Sequence, residues 1–303
     1  MTKVVEFLNV ARAYVRGIPI LNGVSFVVSE GEVVGLLGRN GSGKTTLIHV
    51  AMGMLFPQAG FVRVFGLSPT EQAVEIKKRI GYVAEDQVLP RTSSIAELIA
   101  FHRYLFRSWD DKLEREILNR FSLHANSKIL GLSRGQARAV ALLCAVCHRP
   151  ELLILDEPAA GLDPAARREF LEVAIQFLNR AGTTILFSSH YMGDIERIGS
   201  RVVMLDEGKV FLDSSVDSLR EEYCVALVPT RSVPDAELFA HIPGYLRARR
   251  HYGDWHTVFQ GTPEAIKERL ERSLRSDGIR CERIDLEELF VELMGSNQEQ
   301  ELS

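Results

Sequence analysis

Two stretches of this 303-residue chain carry residue types at spacings that can do chemistry. Gly38-Arg39-Asn40-Gly41-Ser42-Gly43-Lys44-Thr45 has the full pattern of a phosphate-binding loop. Its glycines let the backbone curl so that successive N–H groups point inward, and the helix expected to follow adds its positive N-terminal end. In such a loop Lys44 reaches the β- and γ-phosphates, and the Thr45 hydroxyl ligates Mg²⁺. Leu152-Leu153-Ile154-Leu155-Asp156-Glu157 is an apolar strand that delivers two carboxylates at its C-terminal edge, where open α/β sheets bind ligands. Asp156 suits the shell of the metal, and Glu157 can orient and deprotonate a water for attack on a γ-phosphate. An acidic turn at a strand end is commonplace alone; beside a phosphate cradle it becomes a reaction centre.

The elements that must hold these groups are legible in outline. Val4–Phe7, Val24–Val28 and Glu32–Leu36 read as short strands, and Lys44 to about Met52 as the helix behind the loop. Gly60–Gly66 alternates as a short solvent-facing strand. From 92 to 149 the period turns helical, with Ser94-Ile95-Ala96-Glu97 a capping box, a second helix from Trp109-Asp110-Asp111, and a long apolar helix behind Ser133. Pro164 follows Asp163 as the first residue of a helix behind an Asp cap. Thr183–Ser189 is another buried strand, and Val202–Phe211 a hairpin turning at Glu207-Gly208. Strands alternating with helices on apolar runs predict an α/β domain with a parallel sheet. Beyond about Asp213 the order becomes β-α-β-β-α-β: strands at Tyr223–Val228, Tyr245–His251, Trp255–Gln260 and Ile279–Ile284, helices at Asp235–His241 and Pro263–Leu274. That order predicts a ferredoxin-like module, and the polar tail from Gln298 to Ser303 is expected to fray.

Composition narrows the function classes. Lys plus Arg number 36 against 40 Asp plus Glu, a formal net charge of −4, so the basic excess of a dedicated nucleic-acid binder is missing. The longest apolar run, Ala139–Cys147, is about half of what a bilayer span needs. The N-terminus lacks the features of a secretory signal, and four cysteines, two of them isolated, fit a reducing compartment. A cytoplasmic protein is expected. Cys144-Ala145-Val146-Cys147 has metal-ligand spacing but lies in an apolar helix with no second pair, so core cysteines are expected. Arg247-Ala248-Arg249-Arg250-His251 reads as a solvated strand edge.

Leu132-Ser133-Arg134-Gly135-Gln136 decides among the remaining classes. Alone it is an N-cap whose hydroxyl and following N–H groups make an anion site. Together with the loop and the acidic strand, it makes residues 3 to 215 resemble the ATP-binding subunits of ABC transporters, whose signature is Leu-Ser-Gly-Gly-Gln; here Arg134 takes the third place.

The resemblance implies a P-loop NTPase core with an antiparallel β subdomain and an inserted helical subdomain at about 92–149, together residues 1–215. A C-terminal accessory α+β module then fills 216–303, with Ile284–Phe290 like the closing helix such subunits carry. The implied cofactors are ATP and Mg²⁺. Catalytic roles fall to Glu157, Lys44 and His190, the last ending its strand after Ser188-Ser189 as the switch histidine does. Nucleotide contacts fall to Gly38, Asn40, Gly41, Ser42, Gly43, Lys44, Thr45 and Thr46, with Tyr14 stacking on adenine. Ser133, Gly135 and Gln136 would close on ATP held by a second copy, and Asp163 belongs to the dimer-contact loop. Metal ligands would be Thr45, Asp156 and Glu85. At Glu85 the family usually has Gln; Gln87 stands two residues on, and Glu here is familiar in ABC-2 exporters.

The implied partners are a multi-span membrane permease and a second copy of the chain, not nucleic acid, with the subunit lying peripherally on the inner face of the cell membrane. Export is the favoured direction. A soluble member acting on ribosomes or DNA is the second reading. Such DNA-repair members insert a long coiled coil between loop and signature, absent here, and ribosomal members generally carry two cassettes. A P-loop kinase has no use for Leu132–Gln136.

Overall fold

The computed structural model describes residues 2–15, 17–106, 108–179, 182–231, 233, 235–251, 253–274, 278–283 and 285–294. The expected frayed tail and Ile284 lie outside them. The chain opens with a long hairpin, β1 (Lys3–Val15) and β2 (Ile18–Ser29), then drops into β3 (Val33–Leu37), buried at every position, and α1 (Lys44–Ala51). β4 (Ala59–Val64) returns to the hairpin and completes an antiparallel sheet of order β2-β1-β4. The two hairpin strands are much longer than their apolar cores suggested. Register shifts, including one between Phe7 and Val10 around Asn9 at φ 50°, break the alternation that would have marked them.

A short α2 (Ala73–Lys77) leads to β5 (Ile80–Val83). Neither was anticipated. Three helices follow before the next strand: α3 (Ile95–Leu105), α4 (Asp111–Arg120) and α5 (Arg134–Val146). Each starts where its cap was read: Ser94 and Glu97 form a reciprocal box, Asp110 accepts from the amides of Lys112 and Leu113, and Ser133 pairs reciprocally with Gln136. Then come β6 (Leu152–Leu155), α6 (Pro164–Asn179), β7 (Thr184–Ser189), α7 (Met192–Ile198), and the hairpin β8 (Arg201–Asp206) and β9 (Lys209–Ser215). Its two-residue turn, Glu207-Gly208, has both φ values positive, as a tight hairpin twist requires. The second sheet has the order β5-β6-β7-β3-β8-β9, parallel from β5 through β8. Its central strands are buried on both faces, which is why they read as unbroken apolar runs. The C-terminal ends of β3, β6 and β7 therefore lie side by side.

Contacts group the chain into two units: residues up to His190 with Arg197–Asp213, and Tyr191–Glu196 with the chain from Ser214 on. The second contains α8 (Val216–Glu222), β10 (Tyr223–Pro229), β11 (Tyr245–His251), β12 (Asp254–Gln260), α9 (Pro263–Leu274), β13 (Arg280–Glu282) and α10 (Leu286–Met294). Its antiparallel sheet has the order β11-β12-β10-β13. That is the strand order of the expected β-α-β-β-α-β module, except that the first helical piece, Ala236–His241, is 3₁₀. Phe239, Phe259, Ile266 and Leu270 pack with Cys224 and Ala226 in its core. Arg249 is not the solvated edge residue anticipated. It and its cross-strand neighbour His256 both reach Glu292, a carboxylate on α10 that is only 4% exposed.

Candidate active site

The loop between β3 and α1 is shaped by what crowds it. A Cβ at Gly38 would sit 2.6 Å from the Leu205 carbonyl oxygen on β8, so only glycine lets the loop leave the sheet there. Gly41 and Gly43 take φ values of 84° and 104°. The curl leaves the Ser42 hydroxyl buried within the loop with no hydrogen-bond partner, an unsatisfied polar atom at the phosphate loop. Lys44, almost fully buried, donates to the Gly38 carbonyl at 2.7 Å and lies 3.2 Å from Glu157 Oε1.

Across the sheet, β6 brings the two carboxylates to the loop. The Thr45 hydroxyl donates to Asp156 Oδ1 at 3.2 Å, and the Ser188 hydroxyl donates to the same oxygen at 2.7 Å. Ser188 also accepts from the Glu157 amide at 2.8 Å. It thus orients both acids, a role the sequence reading did not give it; two serines ending a strand neighbouring β6 were the available signal. Glu157 stands at φ 42°, a left-handed turn that directs its side chain away from the strand. His190 Nδ1 lies 2.8 Å from Glu157 Oε2. Lys44, Glu157 and His190 therefore form one chain of contacts, and Thr45, Asp156 and Ser188 a second beside it.

Lys44, Thr45 and Glu157 border a cleft of about 320 Å³, lined also by Tyr14, Ile20, Asn40, Gly41, Gly43, Thr46 and Glu85; Asp156, Ser188 and His190 stand behind its wall. Tyr14 OH lies 3.2 Å from Thr46 Oγ1, which places the aromatic ring at the loop. Burial, followed by the nearby carboxylates of Glu157, Asp156 and Asp86, raises the Glu85 carboxyl above its ordinary range, with Lys44 opposing. Burial and Asp156 likewise push Tyr82 up to about 12. Gln87, the other candidate for the glutamine role, turns back to accept from the Ala84 amide at 3.1 Å and lines a different hollow.

Ser133, Gly135 and Gln136 do not line the phosphate cleft. Ser133 Oγ accepts from the Gln136 amide and Gln136 Oε1 from the Ser133 amide, so the pair caps its own helix. Asp163 Oδ1 accepts from the amides of Ala165 and Ala166 at 3.0 Å and caps α6. Cys144 and Cys147 are buried thiols; burial pushes Cys144 up to about 12 and raises Cys147 as well.

An anion cradle on a helix N-terminus, a lysine at its rim and a base-competent carboxylate at the adjoining strand end define a nucleoside triphosphatase of the phosphate-loop class. The comparisons narrow that class. The ABC transporter family matches residues 21–160. Over 290 residues the chain is 32% identical to the Nod factor export ATP-binding protein I of Rhizobium sp. strain N33, covering 92% of this chain and 93% of that protein. It is 27% identical to the ABC transporter ATP-binding protein YtrB of Bacillus subtilis, across 97% of this chain and 99% of the other. A solved ATP-binding subunit of an ABC transporter shares the fold with a TM-score of 0.65 at 29% identity, over 72% of this chain and 92% of that one. The chain belongs to the ATP-binding subunits of the ABC transporter family, and its reaction is ATP hydrolysis.

Proposed function

We propose that this subunit hydrolyses ATP at the interface of two of its own copies and thereby drives export through a separate membrane permease at the inner face of the cell membrane. No helix among the described residues is long and apolar enough to cross a membrane; in this reading a separate permease supplies the transport path. Export is favoured by the relative named for Nod factor export and by Glu85 in the place of the usual glutamine.

The observation that carries the dimer is the separation of two half-sites. The phosphate cleft holds Lys44, Thr45 and Glu157, while Ser133 and the N-terminus of α5 line none of it. A second copy turned about a two-fold axis brings its Ser133 to the first copy's γ-phosphate, and the arrangement repeats for the other nucleotide. The Thr45 hydroxyl and the Asp156 carboxylate, with Glu85 facing the same cleft, are the hard oxygen donors that Mg²⁺ takes alongside substrate phosphates. Bound there, Mg²⁺ would neutralise charge on the β- and γ-oxygens. The chain's own residues do the rest. The loop amides and Lys44 hold the phosphates, Glu157 accepts the proton of the attacking water, and His190 fixes the Glu157 carboxylate. Tyr14 offers a flat face to the base.

Reconstitution tests the reading. The chain, co-purified with its membrane partner and placed in vesicles, should sustain ATP-dependent movement of solute outward from the face that binds the subunit, and Lys44→Ala should stop it. Isolation only with ribosomes or DNA, and never with a membrane protein, would overturn it.

A further inference from the structure

Helix α5 is attached to β5 and its outgoing loop at two points. A Cβ at Gly81 would lie 2.1 Å from the Ala145 carbonyl oxygen, so the later turns of α5 press directly on the strand. Near its N-terminus, one guanidinium spans two carbonyls of the loop leaving β5: Arg138 Nη1 donates to Ala84 O and Arg138 Nη2 to Glu85 O. The loop's own turn is closed by Gln87 accepting from the Ala84 amide. A planar fork that grips two successive carbonyls sets direction as well as distance, which an ammonium cannot. Glu85 then lines both the phosphate cleft and the neighbouring hollow, which Arg138 lines together with Arg134, Gly161 and Leu162.

We infer that Arg138 is a positioning residue: it ties the helix that carries Ser133 to the loop that carries Glu85, so that engagement of Ser133 by one nucleotide sets the Glu85 side chain at the other. This rests on the two-copy reading above and on a role for Glu85 in hydrolysis. A displacement at the N-terminus of α5 cannot be absorbed between the helix and the loop, because the packed contact at Gly81 and the two-carbonyl grip fix both ends. The two ATP sites are thereby coupled through each subunit's interior, in addition to the shared interface.

The test uses the full chain and four variants: Arg138→Gln, Arg138→Lys, Glu85→Ala, and Glu85→Ala combined with Arg138→Gln. In the nucleotide-free protein, Arg138→Gln should speed amide exchange at residues 84–88 by roughly tenfold, the loss of about one charge-assisted hydrogen bond, with the interior of α5 unchanged. Turnover should fall by about tenfold with KM within about twofold, and the dependence on ATP should lose its cooperativity. Arg138→Lys should recover part of this. Because both residues act through one loop, the double variant should be no slower than Glu85→Ala alone. Full additivity with a damaging Glu85→Ala, or unchanged exchange at 84–88 in Arg138→Gln, overturns the assignment of Arg138. A Glu85→Ala variant with wild-type turnover overturns the role of Glu85 itself, and the inference falls with it.

Discussion

Lys44 and Glu157 face each other at 3.2 Å with almost no solvent access. Under the proposed reading, this contact pairs the cation that holds the phosphates with the carboxylate that serves as base. In that reading an entering γ-phosphate would compete with Glu157 for Lys44, which would link nucleotide binding to release of the base. Lys44→Ala removes the side-chain cation aimed at the β- and γ-phosphates. Turnover measured by phosphate release should fall by about 100-fold or more, the scale seen when one preorganised charge-stabilising donor is removed. Turnover near the wild-type rate would refute the assignment. Ser188 acts at the same scale: one hydroxyl holds both the Asp156 carboxylate and the Glu157 backbone, and so fixes the spacing between the two acids.

At the scale of elements, the C-terminal sheet and α10 are joined by charge. Burial of Glu292 would raise its carboxyl, but hydrogen bonds from Arg249 and His256 more than offset this and hold it down at about 2. A carboxyl depressed in the folded state contributes stability above the unfolded value near 4.3, and that contribution disappears as pH falls toward 2. The full contribution is roughly 3 kcal/mol, from two to three pH units of depression. Scanning calorimetry of wild type and Glu292→Gln from pH 6 to pH 2 should show the variant melting lower at pH 6 and the gap narrowing in acid. A gap constant across that range would mean that Glu292 contributes through packing rather than charge. Apolar residues hold α10 as well, with Leu286, Leu289 and Leu293 all at 1% exposure or less.

The whole molecule is half of a catalytic unit under the proposed reading. Hydrolysis destroys the phosphate that bridges two copies, so the wild-type pair should be short-lived. Glu157→Gln keeps the size and hydrogen bonding of the side chain while removing the base. With ATP, its mass by light scattering should rise to about twice the 34.0 kDa of one chain. Adding Ser133→Arg should return it to one chain, since bulk and a lost cap oxygen block the helix N-terminus. A persistent monomer with demonstrated ATP binding, or a dimer indifferent to both ATP and the Ser133 change, would count against the nucleotide sandwich.

The phosphate loop, the acidic strand and the helix caps at Ser94, Asp110 and Ser133 were legible in the amino-acid sequence because each is set by neighbours a few residues away. A glycine pattern, an unbroken apolar run or a side chain reaching an amide three residues on is local physics. The hairpin β1–β2 was legible only in part, since bulges interrupt the alternation that marks a strand. What tertiary structure alone decided are contacts between groups distant in sequence. Ser188 found Asp156 32 residues away, and Arg138 found the loop at Ala84 and Glu85 more than 50 residues earlier. Glu292 found Arg249, which sequence pattern had placed in solvent. A serine, an arginine or a glutamate carries no local mark of such a partner. Its role is fixed by which strand ends lie side by side and which helix closes over which face, and those are properties of the packed chain.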